Sequence, residues 1–281
     1  MPELPEIEVL RRDLEKEVVG RRIKDAEVRP GSAAMKVVKR HGRRKEFTAL
    51  LAGAKVERVA RHGRLLALFL DSGRVLAVVP GERARLLKTS ASEGLATHTH
   101  IVISFTIGGQ LRLIDPDKTS EVYVVAAEEF DAERSAEPPT IDPLEVGVTW
   151  QHLSATLNQR SASLRELLTD GSTLIGIGDL YADEVLFAAG LRPDHRTDKL
   201  TSSDVRRLYR ALMETLQEAV KARGTSHGED GFRDLSGALG TFQLELKVYG
   251  RDGEPCKRCR STVVKEKVNG GVAYLCPRCQ S

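Results

Sequence analysis

The sequence predicts an α+β protein in which strands come first, helices second and a small metal-binding hairpin last. Three observations carry this prediction. Between Arg21 and about Val125, short apolar runs broken by Gly, Pro and Asp recur at intervals of roughly ten residues, the pattern of antiparallel hairpins in a sandwich or barrel. From Leu153 to Arg223 the apolar residues return at helical spacing instead. All four cysteines fall in the last 26 residues, as two Cys-x-x-Cys pairs.

Residues 3–19 read as an opening helix, with Leu4, Ile7, Leu10, Leu14 and Val18 on one face, proline at its start and Gly20 past its end. The strand runs are Leu65–Leu70, Val75–Val79, Ile101–Phe105, Leu111–Ile114 and Val122–Val125, with Asp71-Ser72-Gly73 and Gly108-Gly109 as turns. Ala126–Pro143 is acidic, rich in Ala and Pro and without period, so a domain boundary is expected there. Leu153–Leu157, Leu164–Leu168 and Leu180–Ala189 read as short helices. A longer one runs from about Ser203 to Arg223, with Val205, Leu208, Leu212, Leu216 and Val220 in register and Gly224 as its stop. The polar, glycine-rich stretch 224–246 reads as a long loop, the kind that in compact proteins is often functional.

Composition narrows the function classes. The chain has 281 residues, 43 Lys+Arg and 40 Asp+Glu, and 41% hydrophobic residues. No run approaches the roughly 18 consecutive apolar residues of a membrane-spanning helix. The opening MPELPEIEVL carries charge where a signal peptide needs an apolar core, so a membrane or secreted protein is disfavoured. The net charge of +3 conceals a strong partition. Residues 1–90 hold 21 basic and 12 acidic side chains, 91–150 hold 3 and 11, 151–246 hold 11 and 14, and 247–281 hold 8 and 3. Such charge either solvates separate faces or brings two basic ends to one polyanion, of which nucleic acid is the commonest.

Cys256-x-x-Cys259 and Cys276-x-x-Cys279, with 16 residues between the pairs, match the spacing of a four-cysteine zinc site on two tight turns. The intervening Val263–Leu275 has the length of a hairpin with Asn269-Gly270-Gly271 at its tip. Four thiolates close the coordination sphere, so one structural zinc ion is expected, with an iron–sulfur cluster as the weaker alternative. Lys257, Arg258, Arg260, Lys265, Lys267 and Arg278 make this hairpin basic and suited to a phosphate backbone.

Pro2 and Glu3 admit two readings. Proline at the first position and acids in the first turn simply favour a helix start. Removal of the initiator methionine, however, would leave Pro2 as a secondary amine. With a reference pKa of about 8, that amine is partly unprotonated near neutrality and can form an iminium with an aldehyde-level carbon such as C1′ of a deoxyribose. Glu3 could then move a proton at the same sugar. Smaller signals carry less. Gly176-x-Gly178 lacks the strand and third glycine of a dinucleotide loop. His98 and His100 alternate on an apparent strand at metal-ligand spacing but read more simply as surface polar residues. Glu6 and Glu8 read as helix-surface acids, Glu6 near enough to position Pro2. Trp150 and the few other aromatics are too sparse for a base-stacking platform.

Three motifs in order, MPELPEIE at the start, GIGDLYADEVLFAAGLRPD at 176–194 and VYGRDGEPCKRC…CPRC at 248–279, resemble the formamidopyrimidine-DNA glycosylase and endonuclease VIII family over the whole chain. The resemblance implies an N-terminal antiparallel β-sandwich flanked by helices (1–130), a helix–two-turn–helix domain (131–246) and a zinc finger (247–281), with DNA in the cleft between them. It implies a bacterial, cytoplasmic and nucleoid-associated monomer that excises damaged bases from double- or single-stranded DNA. Pro2 is then the Schiff-base nucleophile and Glu3 the proton donor, followed by strand cleavage by β- and often δ-elimination. Zinc held by Cys256, Cys259, Cys276 and Cys279 is the one cofactor implied.

Several positions depart from the family pattern. The lysine that assists elimination is replaced by Arg64, which keeps the charge but cannot readily shuttle a proton. The stretch that carries a void-filling methionine reads Val79-Pro80-Gly81-Glu82, and the companion arginine and aromatic become Asp117-Lys118-Thr119-Ser120. Asp179 stands in place of a backbone-binding asparagine unless it serves as a helix N-cap, and Gly271 in place of a phosphate-directed finger arginine. Lys118, Asp179, Arg251 and Arg258 are the remaining positions expected to meet DNA. Without an apolar wedge to offset the cost of unstacking, the expected substrates are lesions that already loosen the helix, abasic sites, or single-stranded and bulky adducts. A binding-only paralogue that keeps the fold but no longer cuts is the rival reading. A zinc-ribbon protein that recognises other proteins is a more distant one.

Overall fold

Helix α1 (Leu4–Val18) sets the frame of the first half, because its apolar stripe, Ile7, Leu10, Leu14 and Val18, is fully buried against two antiparallel sheets. The computed structural model describes residues 2–29, 34–228 and 231–281, and these group into two compact units.

The first unit comprises the chain to Glu137 together with Arg223–Thr241. One sheet has the order β1 (Ile23–Val28), β6 (Thr99–Phe105), β7 (Gln110–Ile114), β5 (Arg85–Thr89). The other has the order β2 (Val56–His62), β3 (Leu65–Leu70), β4 (Arg74–Val79), β8 (Glu121–Ala126). A single core joins Ile101, Ile103, Leu111 and Leu113 of the first sheet to Leu66, Leu68, Leu76, Val122 and Val124 of the second, with Val37 of α2 (Ala34–Val37) and Phe47 and Leu51 of α3 (Arg44–Leu51). A β-sandwich flanked by helices is therefore what the first unit contains. On the outer face of the second sheet, Leu65, Ala67, Val75, Ala77 and Tyr123 are covered by Phe130 of α4 (Ala127–Ser135).

That second covering explains which strands are legible as apolar runs. β3, β4, β6 and β8 are buried on both faces and read as continuous hydrophobic stretches. β1, β2 and β5 bury one face and carry Lys, Asp, Glu or Arg on the other, so the run pattern misses them. Two further departures from the sequence reading occur here. The aperiodic stretch in which a domain boundary is expected holds α4, a helix anchored by one buried aromatic rather than by a periodic stripe. His98 has φ 65° and precedes β6, so it shares no strand face with His100, whose buried ring nitrogen bonds the Asp115 carbonyl at 2.8 Å.

Residues 223–241 close on the first unit through specific contacts. Arg223 pairs with Asp13 and Asp234, Lys88 N–H donates to the Leu235 carbonyl (2.8 Å), and Leu235 enters the main core. Gly240 is required, since a Cβ there would lie 2.2 Å from the Gly224 carbonyl oxygen. The long helix stops at Lys221, and Arg223 takes the left-handed conformation (φ 63°) ahead of Gly224 (φ 81°). Part of the expected loop, Glu229 and Asp230, lies outside the described residues.

The second unit comprises Pro138–Ala222 and Phe242–Ser281. It contains α5 (Trp150–Leu157), α6 (Leu164–Thr169), α7 (Asp179–Ala189), α8 (Ser202–Lys221) and the hairpin β9 (Val264–Val268)–β10 (Gly271–Leu275). Buried α7 is its hub, in contact with α6, α8 and β10. Two adjacent acids on α7 hold the finger. Glu184 accepts N–H groups from Lys247, Val248 and Tyr249 at 2.9–3.0 Å, while Asp183 accepts the Tyr274 N–H at 2.9 Å and the Arg165 Nε at 3.0 Å. Burial pushes both carboxyls up, Asp183 to about 6, against the pull of those donors.

Candidate active site and metal centre

Pro2 is buried and Glu3 half-buried at the head of α1, where Glu3 is the N-cap and forms a reciprocal capping box with Glu6. Glu6 is buried rather than exposed as expected. Its carboxylate accepts the Glu3 N–H at 2.9 Å and the Thr225 N–H at 2.8 Å, tying the chain start to the 223–228 segment. Glu8 is likewise buried. It accepts hydrogen bonds from Arg11, Arg12 and Arg61, whose guanidinium groups outweigh the effect of burial and hold its carboxyl below the ordinary range. The sequence did hint at Glu6, because Glu3-x-x-Glu6 has capping-box spacing. Nothing local predicts the partnership of Glu8 with Arg61.

Arg64 follows Gly63 in the tight turn that leads into β3, and it is half-buried. Its Nε is shielded without a hydrogen-bond partner, and its NH2 reaches only to the Pro80 carbonyl at 3.5 Å. Burial lowers its pKa and the nearby Glu3 charge opposes that shift, so the two side chains sense each other electrostatically. A cation thus stands beside the Pro2–Glu3 corner with donor capacity unspent.

The two loops at the mouth of the second sheet are fastened to one another. Gly81 N–H donates to Ser120 Oγ (2.9 Å), Arg83 pairs with Asp117, and the Asp115 carboxylate accepts N–H groups from Asp117, Lys118 and Ser120. Gly81 is needed for this approach, since a Cβ would sit 2.2 Å from Thr119 Oγ1. Lys118 itself is half-exposed with φ 60°. Neither loop exposes a large apolar side chain among the described residues.

In the second unit the expected DNA-facing residues have structural duties. Asp179 does not cap α7; Gly178 is the N-cap, and Asp179 in the first turn pairs with Arg165 NH2 at 2.8 Å. The same guanidinium fills the space beside Gly271, where a Cβ would meet Arg165 NH1 at 2.8 Å. Arg251 is engaged through all its nitrogens, with Glu254, the Lys247 carbonyl and the Pro255 carbonyl. Arg258 is exposed, its guanidinium 4.4 Å from the Phe187 ring centroid.

The four cysteine sulfurs lie within 4.8 Å of one another, with Cys256–Cys279 at 4.0 Å and Cys259–Cys276 at 3.4 Å. A tetrahedron of Zn–S bonds of about 2.3 Å places its sulfurs about 3.8 Å apart, so the set fits one zinc ion. The knuckle geometry is set locally, with the Arg258 N–H donating to Cys256 Sγ and Arg260 turning left-handed at φ 67°. Phe187, Val248 and Val263 pack around the cysteines and join the site to α7. One structural zinc is thus built into the second unit.

A β-sandwich with a proline–glutamate corner, a helical unit and a four-cysteine finger defines the zinc-finger class of DNA glycosylase folds, and comparison with known proteins gives the family. Residues 1–122 match the formamidopyrimidine-DNA glycosylase N-terminal domain, 140–230 its H2TH domain, and 253–281 the zinc finger found in FPG and IleRS. The formamidopyrimidine-DNA glycosylase of Pelotomaculum thermopropionicum is 35% identical over 280 residues, covering 100% of this chain and 99% of that protein. That of Geobacillus kaustophilus is 35% identical over 281 residues, covering both chains fully. The crystal structure of the MutM (Fpg) protein from Thermus thermophilus superposes with a TM-score of 0.83 at 30% identity, covering 99% of this chain and 98% of that one. The Lactococcus lactis Fpg in complex with DNA containing an abasic site gives 0.87 at 26% identity, covering 99% of both chains. The chain belongs to the formamidopyrimidine-DNA glycosylase family.

Proposed function

We propose that this protein is a bifunctional DNA glycosylase and abasic-site lyase of base excision repair, with Pro2 as nucleophile. Full-length identity to formamidopyrimidine-DNA glycosylases carries the activity, and the Pro2–Glu3–Arg64 corner carries the assignment of roles. The Pro2 amine attacks C1′ of the damaged nucleotide and displaces the base, which departs with a proton. Glu3 then protonates the ring oxygen, so that the C1′–O4′ bond breaks and an iminium links the protein to the opened sugar. Loss of a C2′ proton then expels the 3′ phosphate in β-elimination, with Arg64 balancing charge on the phosphate rather than carrying the proton. The zinc ion supplies scaffold only, since its four thiolates leave no open position.

The fastened loops at 79–85 and 115–120 favour a particular substrate range. They offer charges and hydroxyls, not an apolar wedge, so abasic sites, helix-loosening lesions and single-stranded DNA are the preferred substrates over a stacked oxidised purine in intact duplex. We further propose that the protein acts as a monomer on the bacterial nucleoid. No helix among the described residues is long and apolar enough to cross a membrane.

Borohydride trapping on an abasic-site oligonucleotide tests the core of this. A covalent adduct is expected, reduced at least tenfold in Pro2→Gly and abolished when the N-terminal amine is blocked. The substitution of Arg64 for lysine favours a second reading, a damaged-DNA binder that no longer cuts. Abasic-site affinity unchanged in Pro2→Gly, with no adduct and no turnover in the parent, decides for that reading.

A further inference from the structure

The groove between α5 and α8 belongs to no part of the site described above. It is a concavity of about 480 Å³ lined by Trp150, Arg206, Tyr209, Arg210, Met213 and Glu214. Its floor is aromatic and apolar and is held in place. Thr149 caps α5 and so fixes Trp150 at the first helical position, and the Tyr209 hydroxyl donates to the Val148 carbonyl at 2.8 Å. Over that floor stand two cations in different states. The Arg206 guanidinium lies 4.6 Å from the Trp150 ring centroid, while exposed Arg210, one turn further along α8, has no hydrogen bond or ion pair among the described residues. Neighbouring Arg207 is neutralised by Asp204 at 2.6 Å.

We propose that this groove docks an acidic peptide segment of a partner protein, with a carboxylate against Arg206 and Arg210 and one apolar side chain on Trp150 and Met213. Charge and shape select this occupant. Two unneutralised guanidinium groups above an aromatic floor complement a carboxylate next to an apolar side chain, the pairing that Arg and Trp supply at interface hot spots. A nucleic-acid backbone fits less well. Glu214 stands on the rim beside Arg210 and meets the next phosphate with like charge, and a concavity of this size takes a side chain rather than the convex wall of a duplex.

Trp150 is the only tryptophan in the chain, so its emission reports occupancy of the groove directly. The full-length, zinc-loaded protein is titrated with a synthetic peptide of four aspartates followed by leucine and phenylalanine. A saturable change in emission is expected. Arg210→Glu should weaken binding by about tenfold or more, the weight of a charge-assisted hydrogen bond, as should serines in place of the two apolar residues of the peptide. Arg210→Glu should leave thermal unfolding and abasic-site cleavage unchanged, since the side chain is exposed and unpaired. The proposal is overturned by an emission that stays constant to about 1 mM peptide, by equal affinity in Arg210→Glu, or by a single-stranded oligonucleotide that outcompetes the peptide at Trp150.

Discussion

Glu6 does two things with one carboxylate, accepting the N–H of Glu3 at the candidate corner and that of Thr225 on a segment more than two hundred residues later. Buried acceptors of this kind are costly to remove, because the donors they leave behind stay away from water. Glu6→Ala should lower stability by about 2 kcal/mol in denaturant unfolding. It should also reduce borohydride trapping by more than the lost folded fraction, because Glu3 loses its anchor. Arg64 supports a separate prediction. Its guanidinium is half-buried beside Glu3 but stays protonated at neutral pH, so it can attract a phosphate and cannot relay a proton. Arg64→Lys should therefore raise strand cleavage relative to base release, read by comparing product length with and without alkali. An unchanged ratio would mean that the residue takes no part in elimination. The candidates at this corner come from the sequence in two ways, since Pro2 and Glu3 sit in the opening motif while Arg64 stands where the family pattern has a lysine. Their environment is not legible there, because the burial of Glu6 and Glu8 arises from Thr225 and Arg61, partners brought together only by folding.

At the scale of elements, legibility follows the number of buried faces. Strands covered on both sides and helices with a full apolar stripe announce themselves. One-faced strands such as β5 and the single-anchor helix α4 do not, because half or more of their side chains answer to solvent. Helix α8 illustrates the clear case, and its start can be tested. Thr201 and Asp204 form a capping box, and hydrogen bonds from the Thr201 hydroxyl and N–H, aided by Arg207, hold the Asp204 carboxyl down to about 2. A carboxyl depressed in the folded state stabilises above its unfolded pKa, and that contribution is lost as pH falls from about 4 toward 2. Because its partners Thr201 and Arg207 are exposed and solvent screens the pairing, the worth of the box is about 1 kcal/mol. Asp204→Ala should lower thermal stability by that amount at neutral pH and flatten the acid limb of the stability profile. The finger makes the complementary case, since its cysteines share a core with Phe187 and Val248. Stripping the zinc with a strong chelator should release one ion per chain, lower the melting temperature of the helical unit and abolish DNA binding, with recovery on zinc addition.

For the molecule as a whole, formal charge overstates what is available to a polyanion. Residues 1–90 hold an excess of nine basic side chains, yet Glu8 occupies Arg11, Arg12 and Arg61, and Arg40 is spent on Glu121 and Glu133 of the acidic segment while lying 3.6 Å from the Tyr123 ring centroid. Arg83 is paired with Asp117, and Arg165 with Asp179 and Asp183. Internal pairing thus converts much of the basic excess into architecture, and the finger hairpin keeps exposed cations such as Lys257 and Lys267. DNA affinity should then depend on salt, but with fewer released counterions than the composition suggests. A slope of log K against log salt of about −4 is expected, equivalent to some four to five neutralised phosphates. Lys267→Ala should make the slope shallower by about one and weaken binding uniformly across lesions, whereas Arg83→Ala, which frees Asp117, should leave the slope unchanged or steepen its loss only on duplex substrates. Fluorescence anisotropy with abasic duplex and single-stranded probes, over a range of potassium chloride, measures both. A slope near zero would overturn the assignment of the finger as a phosphate-binding element.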